Sequence, residues 1–168
     1  ELFELREHQH AGHANDFLTV GGMGHASQIA LTIALQHPEQ RIWCLDGDGA
    51  VLMHMGGMAI IANSEANNLV HVVLNNGAHD SVGGQPTVGL SIDIAKIASA
   101  MGYKQTYTVT SNTELTKVLN QIKEASGPIL INILVRKGNR PDLGRPTTTP
   151  LQNKQAFMAE INKTNDEA

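Results

Sequence analysis

Residues 47–77 read GDGAVLMHMGGMAIIANSEANNLVHVVLNNG, and this stretch decides how the rest of the chain is interpreted. An apolar run at residues 42–45 leads into GDG, and a second run at residues 70–74 leads into NNG. Each run predicts a strand that ends in a polar, glycine-flexible turn. If the two strands are parallel neighbours, the Asp48 carboxylate and an amide such as that of Asn76 emerge at one sheet edge. Oxygen ligands of these two kinds suit a hard cation.

The two triplets also have a simpler interpretation as turns. Gly, Asp and Asn tolerate the backbone angles that turns require, so either triplet alone indicates no more than a turn. Here, however, 25 residues separate Gly49 from Asn75, and apolar residues recur at helical spacing inside that interval. The combination is more specific than either triplet and predicts a strand–helix–strand unit.

Length and composition exclude several classes of protein. The 168 residues fit one domain, and a net charge of -4 without a block of Lys and Arg excludes electrostatic binding of nucleic acid or an acidic membrane. The single cysteine, Cys44, lies in an apolar run, which indicates a buried, reduced thiol and a reducing compartment. No apolar run approaches the roughly 20 residues of a membrane helix. We therefore expect a soluble, cytoplasmic protein.

Strand and helix patterns alternate along the whole chain. Strands are predicted at residues 17–20, 41–45, 69–74, 103–109 and 129–135, and helices at residues 26–36, 52–62, 92–101, 111–125 and 151–163. The helix at residues 26–36 is apolar nearly all round, which predicts burial between layers. This alternation is typical of a three-layer α/β/α domain with a mainly parallel sheet, whose ligands bind at the carboxyl ends of the strands.

The remaining segments are interpreted as irregular. Residues 1–16 are polar, and we interpret them as a solvated entry loop rather than as a metal site, although His8, His10 and His13 are closely spaced. Residues 136–150 are rich in proline and are interpreted as an extended strap. Ser111 and Glu114 have the spacing of a helix capping box.

Three longer segments carry a resemblance to a known family. They are GGMGHASQIAL at residues 21–31, LDGDGAVLMHMGGMA at residues 45–59 and HVVLNNGAHDSVGGQPTVG at residues 71–89. The GDG and NN pair is similar to the signature of thiamine diphosphate enzymes. The longer segments resemble the phosphonopyruvate decarboxylases, with the sulfopyruvate decarboxylases as close relatives. The resemblance covers residues 2–161 and implies the C-terminal, diphosphate-binding domain of these enzymes, with its thiamine diphosphate-binding fold.

The resemblance implies a cofactor and a set of residues that bind it. Mg²⁺ would take a carboxylate oxygen of Asp48, the amide oxygen of Asn76 and the carbonyl oxygen of Ala78. The Gly21 carbonyl would accept the aminopyrimidine N–H, and Met23 would hold the cofactor bent. Many relatives have Ser at position 50, so at Ala50 only the backbone can contact the diphosphate. The full set of cofactor-binding candidates is Gly21, Gly22, Met23, Gly47, Gly49, Ala50, Asn76 and Ala78.

The resemblance also implies an activity. It is the decarboxylation of a 2-oxo acid, and for the most similar family this is the conversion of 3-phosphonopyruvate to phosphonoacetaldehyde and CO₂ in phosphonate biosynthesis. His79, Asp80 and His25 are candidates for handling substrate or protons, whereas His54 is interpreted as a structural histidine. The glutamate that activates the pyrimidine belongs to another domain in this family, and Glu65 is no substitute for it.

We therefore interpret residues 1–168 as a diphosphate-binding domain that is a fragment of a longer chain. This fragment would lack the N-terminal pyrimidine-binding domain. Such a domain is expected to be inactive alone and to act with a pyrimidine-binding domain of the same or another subunit in a homo-oligomer. One alternative is the diphosphate-binding subunit of a sulfopyruvate decarboxylase. Another is a noncatalytic nucleotide-binding or interaction module, although no GxGxxG motif follows a predicted strand.

Overall fold

The computed structural model describes residues 1–163, and the chain divides into two compact units. The smaller unit consists of Glu1–Gly21 together with the chain from Asn139 on, and the larger unit is Gly22–Gly138. Among the described residues, no helix has the length and apolar character that a membrane span requires.

Strands and helices alternate through the larger unit, as the sequence predicts. In chain order the elements of the described residues are α1 (Leu2–His8), α2 (Ala26–Gln36), β1 (Ile42–Gly47), α3 (Asp48–Met53), α4 (Gly56–Ala62), β2 (Leu69–Asn75), β3 (Ala78–His79), β4 (Gln85–Pro86), α5 (Ile94–Met101), β5 (Gln105–Val109), α6 (Asn112–Ile122), β6 (Ile129–Leu134) and α7 (Pro150–Ile161). A single 3₁₀ turn at Asp80–Val82 lies between β3 and β4.

The larger unit is built on a four-stranded parallel sheet with the strand order β1-β2-β6-β5. Successive side chains of a strand point to opposite faces. In β2, Leu69 and Val73 join the core cluster formed with α2 to α5, whereas Val70 and Val72 join the cluster formed with α6. Helices therefore cover both faces, and the predicted three-layer α/β/α architecture with a mainly parallel sheet is confirmed. The short hairpin of β3 and β4 is antiparallel.

Two helices differ in detail from their sequence patterns. In α2, Ala30, Leu31 and Ala34 are buried but Leu35 is 44% exposed, so this helix buries one face rather than its whole circumference. At the start of α6 the Ser111 hydroxyl accepts the N–H of Glu114 at 3.3 Å, but the Glu114 carboxylate accepts from Thr110. The predicted capping box is thus only half formed.

The interval between β1 and β2 forms two short helices instead of one. Helix α3 ends at Met53, and α4 begins at Gly56. The pair Gly56 and Gly57 has low helix propensity, about 1 kcal/mol per residue below alanine, which allows the chain to break at this point. Helix α3 is therefore a separate short helix, and it begins at the residue after the end of β1.

The smaller unit corrects two expectations from the sequence. Residues 2–8 form helix α1 with Phe3 buried, so the predicted solvated entry loop is wrong. Residues 17–20 form no strand, because the Leu18 N–H donates to the Asn153 side chain at 2.9 Å instead of joining a ladder. In both segments aromatic rings pack within the unit, Phe3 on His13 and Phe17 against Phe157.

The histidines near the start of the chain do not gather into a metal site. The His13 ring stacks on Phe3 with 4.0 Å between the ring centroids, and its Nε2 contacts the Glu7 carboxylate. Within residues 1–163, the one group of three His, Cys, Asp or Glu side chains close enough to share an ion is Cys44, Asp46 and His71.

Candidate cofactor and metal site

Asp48 lies where strand β1 passes directly into helix α3. The backbone of Gly47 is extended, with φ -94° and ψ 157°, and Asp48 is the first residue of the helix. A negative charge at this end of a helix is favoured by the peptide dipoles and by the free N–H groups. Asp48 is fully buried, with 0% of its surface exposed. A carboxylate so buried requires partners that compensate its charge.

The partners of the Asp48 carboxylate come from the end of β2 and from the loop that follows it. Oδ1 accepts the N–H of Asn76 at 3.3 Å, and Oδ2 accepts the hydroxyl of Thr87. Gly89 lies so close that an added Cβ would overlap the carboxylate and come within 2.9 Å of Asn75 Oδ1. The predicted meeting of an Asp and an Asn at one sheet edge is therefore present in the structure.

The two asparagines at the end of β2 make different contacts. Asn75 is 1% exposed; its Nδ2 donates to the Gly89 carbonyl at 2.8 Å and its Oδ1 accepts the Gly77 N–H at 3.2 Å. Asn76 donates from Nδ2 to Asp80 at 2.8 Å, while its Oδ1 accepts the N–H of Ala78 at 3.0 Å. Asn75 thus closes the loop, whereas the side-chain oxygen of Asn76 is held against the Ala78 N–H.

The segment that follows Asn76 is folded into a small hairpin. Ala78 pairs with Pro86 and His79 with Gln85, and the Thr87 N–H donates to the Gly77 carbonyl at 2.9 Å. Asp80 ties this hairpin to the segment after β6, because its Oδ2 also accepts the N–H of Gly138 at 2.7 Å. Asp80 is thus engaged by two donors at once.

The ring of His79 lies against the first turn of α3. An added Cβ at Gly49 would overlap this ring, so glycine is required there by the close approach. The Nδ1 atom of His79 is buried and has no hydrogen-bond partner among the described residues. An unpaired buried ring nitrogen beside the N–H groups of a helix start is a position at which a ligand would restore the missing hydrogen bond.

His25 and His54 form a pair rather than separate features. Both are exposed, and their ring centroids are 4.2 Å apart. Gly24 has a φ of 83° and packs closely against both His54 and α3. An added Cβ at this position would overlap the His54 ring and lie 3.1 Å from the Ala50 carbonyl oxygen. The exposure of His54 argues against a satisfied structural histidine and leaves both rings open to solvent.

The pyrimidine-side candidates lie just before α2. Met23 and Gly22 are partly buried, and the Gly22 carbonyl accepts the N–H of His25 at 2.9 Å. Gly21 is exposed with φ 70°, a backbone angle that favours glycine. Glu65 follows α4 instead of lying on a helix, in the turn that leads to the amino end of β2. It is therefore at the opposite end of the strand from Asn75.

Three residues near the Asp48 carboxylate were given no role by reasoning from the sequence. Asn75 was quoted only as part of the NN pair, and Thr87 and Gly89 only as part of the segment that follows it. The available signal was the run QPTVGL, in which a hydroxyl residue and a glycine follow the GG pair. Nothing local indicates that Thr87 reaches a residue 39 positions earlier in the chain.

A second group of buried polar side chains, outside this site, includes residues of β1 and β2 themselves. His71 contacts Tyr103 through Nδ1 at 3.1 Å and Asp46 through Nε2 at 3.4 Å. Burial, together with the nearby Asp46 charge, raises the pKa of the Cys44 thiol well above its ordinary value. Burial also raises the pKa of the Tyr103 hydroxyl. Both nitrogens of His71 already have protein partners, so this group is a satisfied core network.

The oxygen donors at the sheet edge fit a hard divalent cation. Asp48 and Asn76 carry side-chain oxygens at this edge, and Ala78, the first residue of β3, carries a carbonyl oxygen. Magnesium prefers such oxygens and keeps positions for phosphate oxygens and water. The buried carboxylate and the unpaired His79 nitrogen both indicate a site arranged for a charged, hydrogen-bonding ligand.

Comparison with known proteins identifies the family. A family model described as thiamine pyrophosphate enzyme, C-terminal TPP binding domain, matches residues 3–133. The phosphonopyruvate decarboxylase of Streptomyces viridochromogenes is 39% identical over 145 residues, which cover 86% of this chain and 36% of that protein. The sulfopyruvate decarboxylase subunit beta of Methanothermobacter thermautotrophicus is 32% identical over 139 residues, which cover 83% of this chain and 69% of that subunit.

A solved structure agrees with this assignment. The X-ray structure described as that of a thiamin diphosphate-dependent enzyme from Mycobacterium smegmatis is similar with a TM-score of 0.58 and 26% identity, over 70% of this chain and 23% of that chain. The chain spans about a third of the length of the phosphonopyruvate decarboxylases that it matches. Thiamine pyrophosphate is another name for thiamine diphosphate, so the predicted resemblance is confirmed. The chain belongs to the thiamine pyrophosphate enzyme family, in which it corresponds to the C-terminal TPP-binding domain.

Proposed function

We propose that this chain holds the magnesium and diphosphate of thiamine diphosphate in an enzyme that decarboxylates 3-phosphonopyruvate to phosphonoacetaldehyde and CO₂ in phosphonate biosynthesis. The observation that carries the proposal is the convergence of Asp48 and Asn76 at the carboxyl edge of the sheet, in a chain of this family. The similarity to phosphonopyruvate decarboxylases supports the choice of substrate.

The residues present define how each part of the cofactor would be held. Asp48, Asn76 and Ala78 would bind Mg²⁺, and the N–H groups of Gly49 and Ala50 would face the diphosphate, next to Gly47. Gly21, Gly22 and Met23 would contact the pyrimidine side. When bound, the cofactor supplies the electron sink that allows a 2-oxo acid to lose CO₂.

The chain's own groups prepare this chemistry by binding and positioning. Without a cation, Asp48 and one diphosphate charge at 4 Å would repel by about 4 kcal/mol at an effective dielectric of 20. Asp80 holds the Asn76 amide in one orientation, so we assign it a positioning role rather than proton transfer. His79 Nδ1, buried and unpaired, is the atom that we propose holds a proton beside the substrate. His25, exposed beside His54, remains a second candidate for this role.

The proposal includes a partner and a cellular context. The activating glutamate is expected on a pyrimidine-binding domain of the same or another subunit, so we propose that this chain is inactive alone and works in a homo-oligomer. The subunit organisation of the sulfopyruvate relatives supports a second chain or domain. The free, buried Cys44 supports a reducing, cytoplasmic compartment.

Sulfopyruvate decarboxylation is the second candidate function. It is favoured by the similarity to separate beta subunits, of which this chain covers a larger share than it does of the phosphonopyruvate enzymes. The two substrates differ in the acidic group at the far end, a phosphonate or a sulfonate. Turnover of both by the assembled enzyme distinguishes the candidates, and a higher kcat/KM for sulfopyruvate would replace the first proposal with the second.

Calorimetry with thiamine diphosphate and Mg²⁺ tests the cofactor assignment. We expect binding by the assembled enzyme, and loss of that binding when a chelator removes the metal. Absence of binding with Mg²⁺ present would support a noncatalytic nucleotide-binding or interaction module instead. Decarboxylation of phosphonopyruvate by the purified 168-residue chain alone would contradict the proposed need for a pyrimidine-binding partner.

A further inference from the structure

Two basic residues follow strand β6 at the same sheet edge as the candidate site. Arg136 and Lys137 are both exposed and come directly after the strand and Val135. Because all four strands of this sheet are parallel, the carboxyl end of β6 lies on the same edge as the ends of β1 and β2. Asn75 pairs with Leu134 in the ladder, and the Val135 N–H donates to the Asn75 carbonyl at 2.9 Å.

The ammonium group of Lys137 is anchored to the site's hairpin. Its Nζ donates to the Gly84 carbonyl at 2.6 Å. The next residue, Gly138, donates its N–H to Asp80 Oδ2 at 2.7 Å, and the same oxygen accepts Asn76 Nδ2 at 2.8 Å. One carboxylate oxygen therefore connects the backbone beside Lys137 to a proposed magnesium ligand. These contacts fix the ammonium relative to Asn76 better than a free surface lysine would be fixed.

The positive charge of Lys137 has no ion-pair partner among residues 1–163, whereas exposed Lys96 pairs with Asp93 at 3.1 Å. The closest acidic group in the hairpin is Asp80, but its Oδ2 is already taken by Asn76 and Gly138. At Gly84, with φ 74°, an added Cβ would lie 3.7 Å from both Lys137 Nζ and Asp80 Oδ1, so the ammonium and this carboxylate oxygen border the same space without forming an ion pair. The ammonium is thus held by a neutral carbonyl and retains N–H donors for an anion.

The other basic residues of Gly22–Gly138 lie elsewhere. Arg41 precedes β1 and donates to the carbonyls of Lys123 and Ala125, and Lys104 precedes β5 and contacts Asn67 and Ser126. Arg41 and Lys104 are thus at the amino ends of strands. The remaining lysines lie on or at the end of helices: Lys96 on α5, Lys117 on α6 and Lys123 at the end of α6. Arg136 is at the correct edge but makes no hydrogen bond or ion pair within the described part of the chain. Lys137 is therefore the permanent cation that the fold holds against the hairpin of the site.

We propose that Lys137 binds the acidic group at the far end of the substrate, a phosphonate or sulfonate, and so selects 2-oxo acids that carry a second acid. This inference rests on the proposed function. The carboxylate of the substrate leaves as CO₂, but the second acidic group keeps its charge from substrate to product. It therefore requires a cation that stays in place throughout, and an ammonium group is suited to such an anion as a point charge.

The test compares Lys137→Met and Lys137→Arg in the assembled enzyme, with Lys117→Met on α6 as the matched control. A charged hydrogen bond corresponds to a change of about 10- to 100-fold. We expect Lys137→Met to raise the KM for 3-phosphonopyruvate by about this factor, with kcat within about threefold and thiamine diphosphate affinity unchanged. Lys137→Arg is expected to restore most of the loss, and Lys117→Met to have no effect.

Binding of phosphonoacetate, a dianion that cannot be decarboxylated, gives a readout independent of turnover. We expect calorimetry to show its Kd raised by Lys137→Met to the same extent as the KM.

Unchanged KM and Kd in Lys137→Met, or the same loss in Lys117→Met, would overturn the inference. A loss confined to Arg136→Met would overturn it in favour of the neighbouring residue. If the wild-type enzyme binds the cofactor but turns over neither diacid, the proposed function fails, whereas normal wild-type turnover with an unaffected Lys137→Met overturns this inference alone.

Discussion

The hydroxyl of Thr87 donates a hydrogen bond to the buried carboxylate of Asp48, across 39 residues of sequence. The same hydroxyl oxygen accepts the N–H of Gly89 at 3.0 Å, so the loop backbone orients the hydroxyl toward the carboxylate. The loop after β2 therefore determines the position of the proposed metal ligand as much as β1 does. A change in this loop is expected to affect stability and metal binding together.

Replacing Thr87 with valine removes this donor while keeping the shape of the side chain. The buried carboxylate then loses a hydrogen bond, so we expect the free energy of unfolding to fall by about 1–3 kcal/mol. Urea denaturation followed by circular dichroism measures the change. Thr116→Val is the control, since its hydroxyl donates to the Asn112 carbonyl on the exposed face of α6. An equal loss of unfolding free energy in both variants would contradict a specific stabilising effect of the Thr87 contact with Asp48.

Gly89→Ala tests the close approach of the loop to Asp48. An added Cβ would overlap the carboxylate and crowd Asn75, so we expect the melting temperature to fall and Mg²⁺-dependent cofactor binding to weaken at least tenfold. Gly56→Ala is the matched control: no atom lies within 4 Å of its added Cβ, and the position is helical. That variant is expected to gain up to about 1 kcal/mol of stability. Normal cofactor binding by Gly89→Ala would contradict the expectation that an added Cβ at residue 89 disturbs the Asp48 carboxylate.

Asp48→Asn removes the negative charge without changing the size of the side chain. We expect thiamine diphosphate binding by the assembled enzyme to weaken by at least about 100-fold, to the level seen when a chelator removes Mg²⁺. Calorimetry provides the affinity. Asp142→Asn serves as the control, because this side chain is exposed and pairs with Arg140 at 3.5 Å. Binding retained by Asp48→Asn and abolished by chelator would place the metal on other ligands.

Cys44 is expected to resist thiol reagents in the folded protein. Burial, with a smaller contribution from Asp46, raises the pKa of the thiol, so almost no thiolate exists at pH 8. In the unfolded chain the pKa returns to about 8.5. The unfolded state then loses its proton first, so stability should fall as the pH rises above about 8.5, and not below it. Reaction with a disulfide reagent at pH 8, with and without urea, measures the difference; rapid labelling without urea would contradict it.

The main architecture could be predicted from the sequence because each core element carries its own local pattern. Strand β2 reads as a continuous apolar run, and α2 begins and ends at the predicted residues, Ala26 and Gln36. The meeting of Asp48 and Asn76 also follows from two local signals, since parallel neighbouring strands place their carboxyl ends together.

What the sequence missed depends on distant partners. Residues 17–20 have an apolar pattern, but the partner of the Leu18 N–H is a side chain 135 residues away. Thr87 and Lys137 carry no motif of their own, and their roles emerge only when the hairpin, α3 and the end of β6 are brought together. The break between α3 and α4 falls at residues 54–55, for which the following glycine pair was only a permissive signal.

The tie between Asp80 and Gly138 also has a consequence for the order of folding. It joins segments 58 residues apart, and the Thr87 contact with Asp48 joins segments 39 residues apart. Pairing of β2 with β6 joins Val70 to Ile129 across 59 residues, so it already bears the entropic cost of closing the loop that the Asp80–Gly138 contact spans. We expect the site edge to become ordered after the central strands β2 and β6 have paired. In hydrogen exchange, the amides of Asn76 and Gly138 should accordingly open before those of Val72 and Ile131. We therefore expect the edge that carries the proposed cofactor site to be less protected than the centre of the sheet.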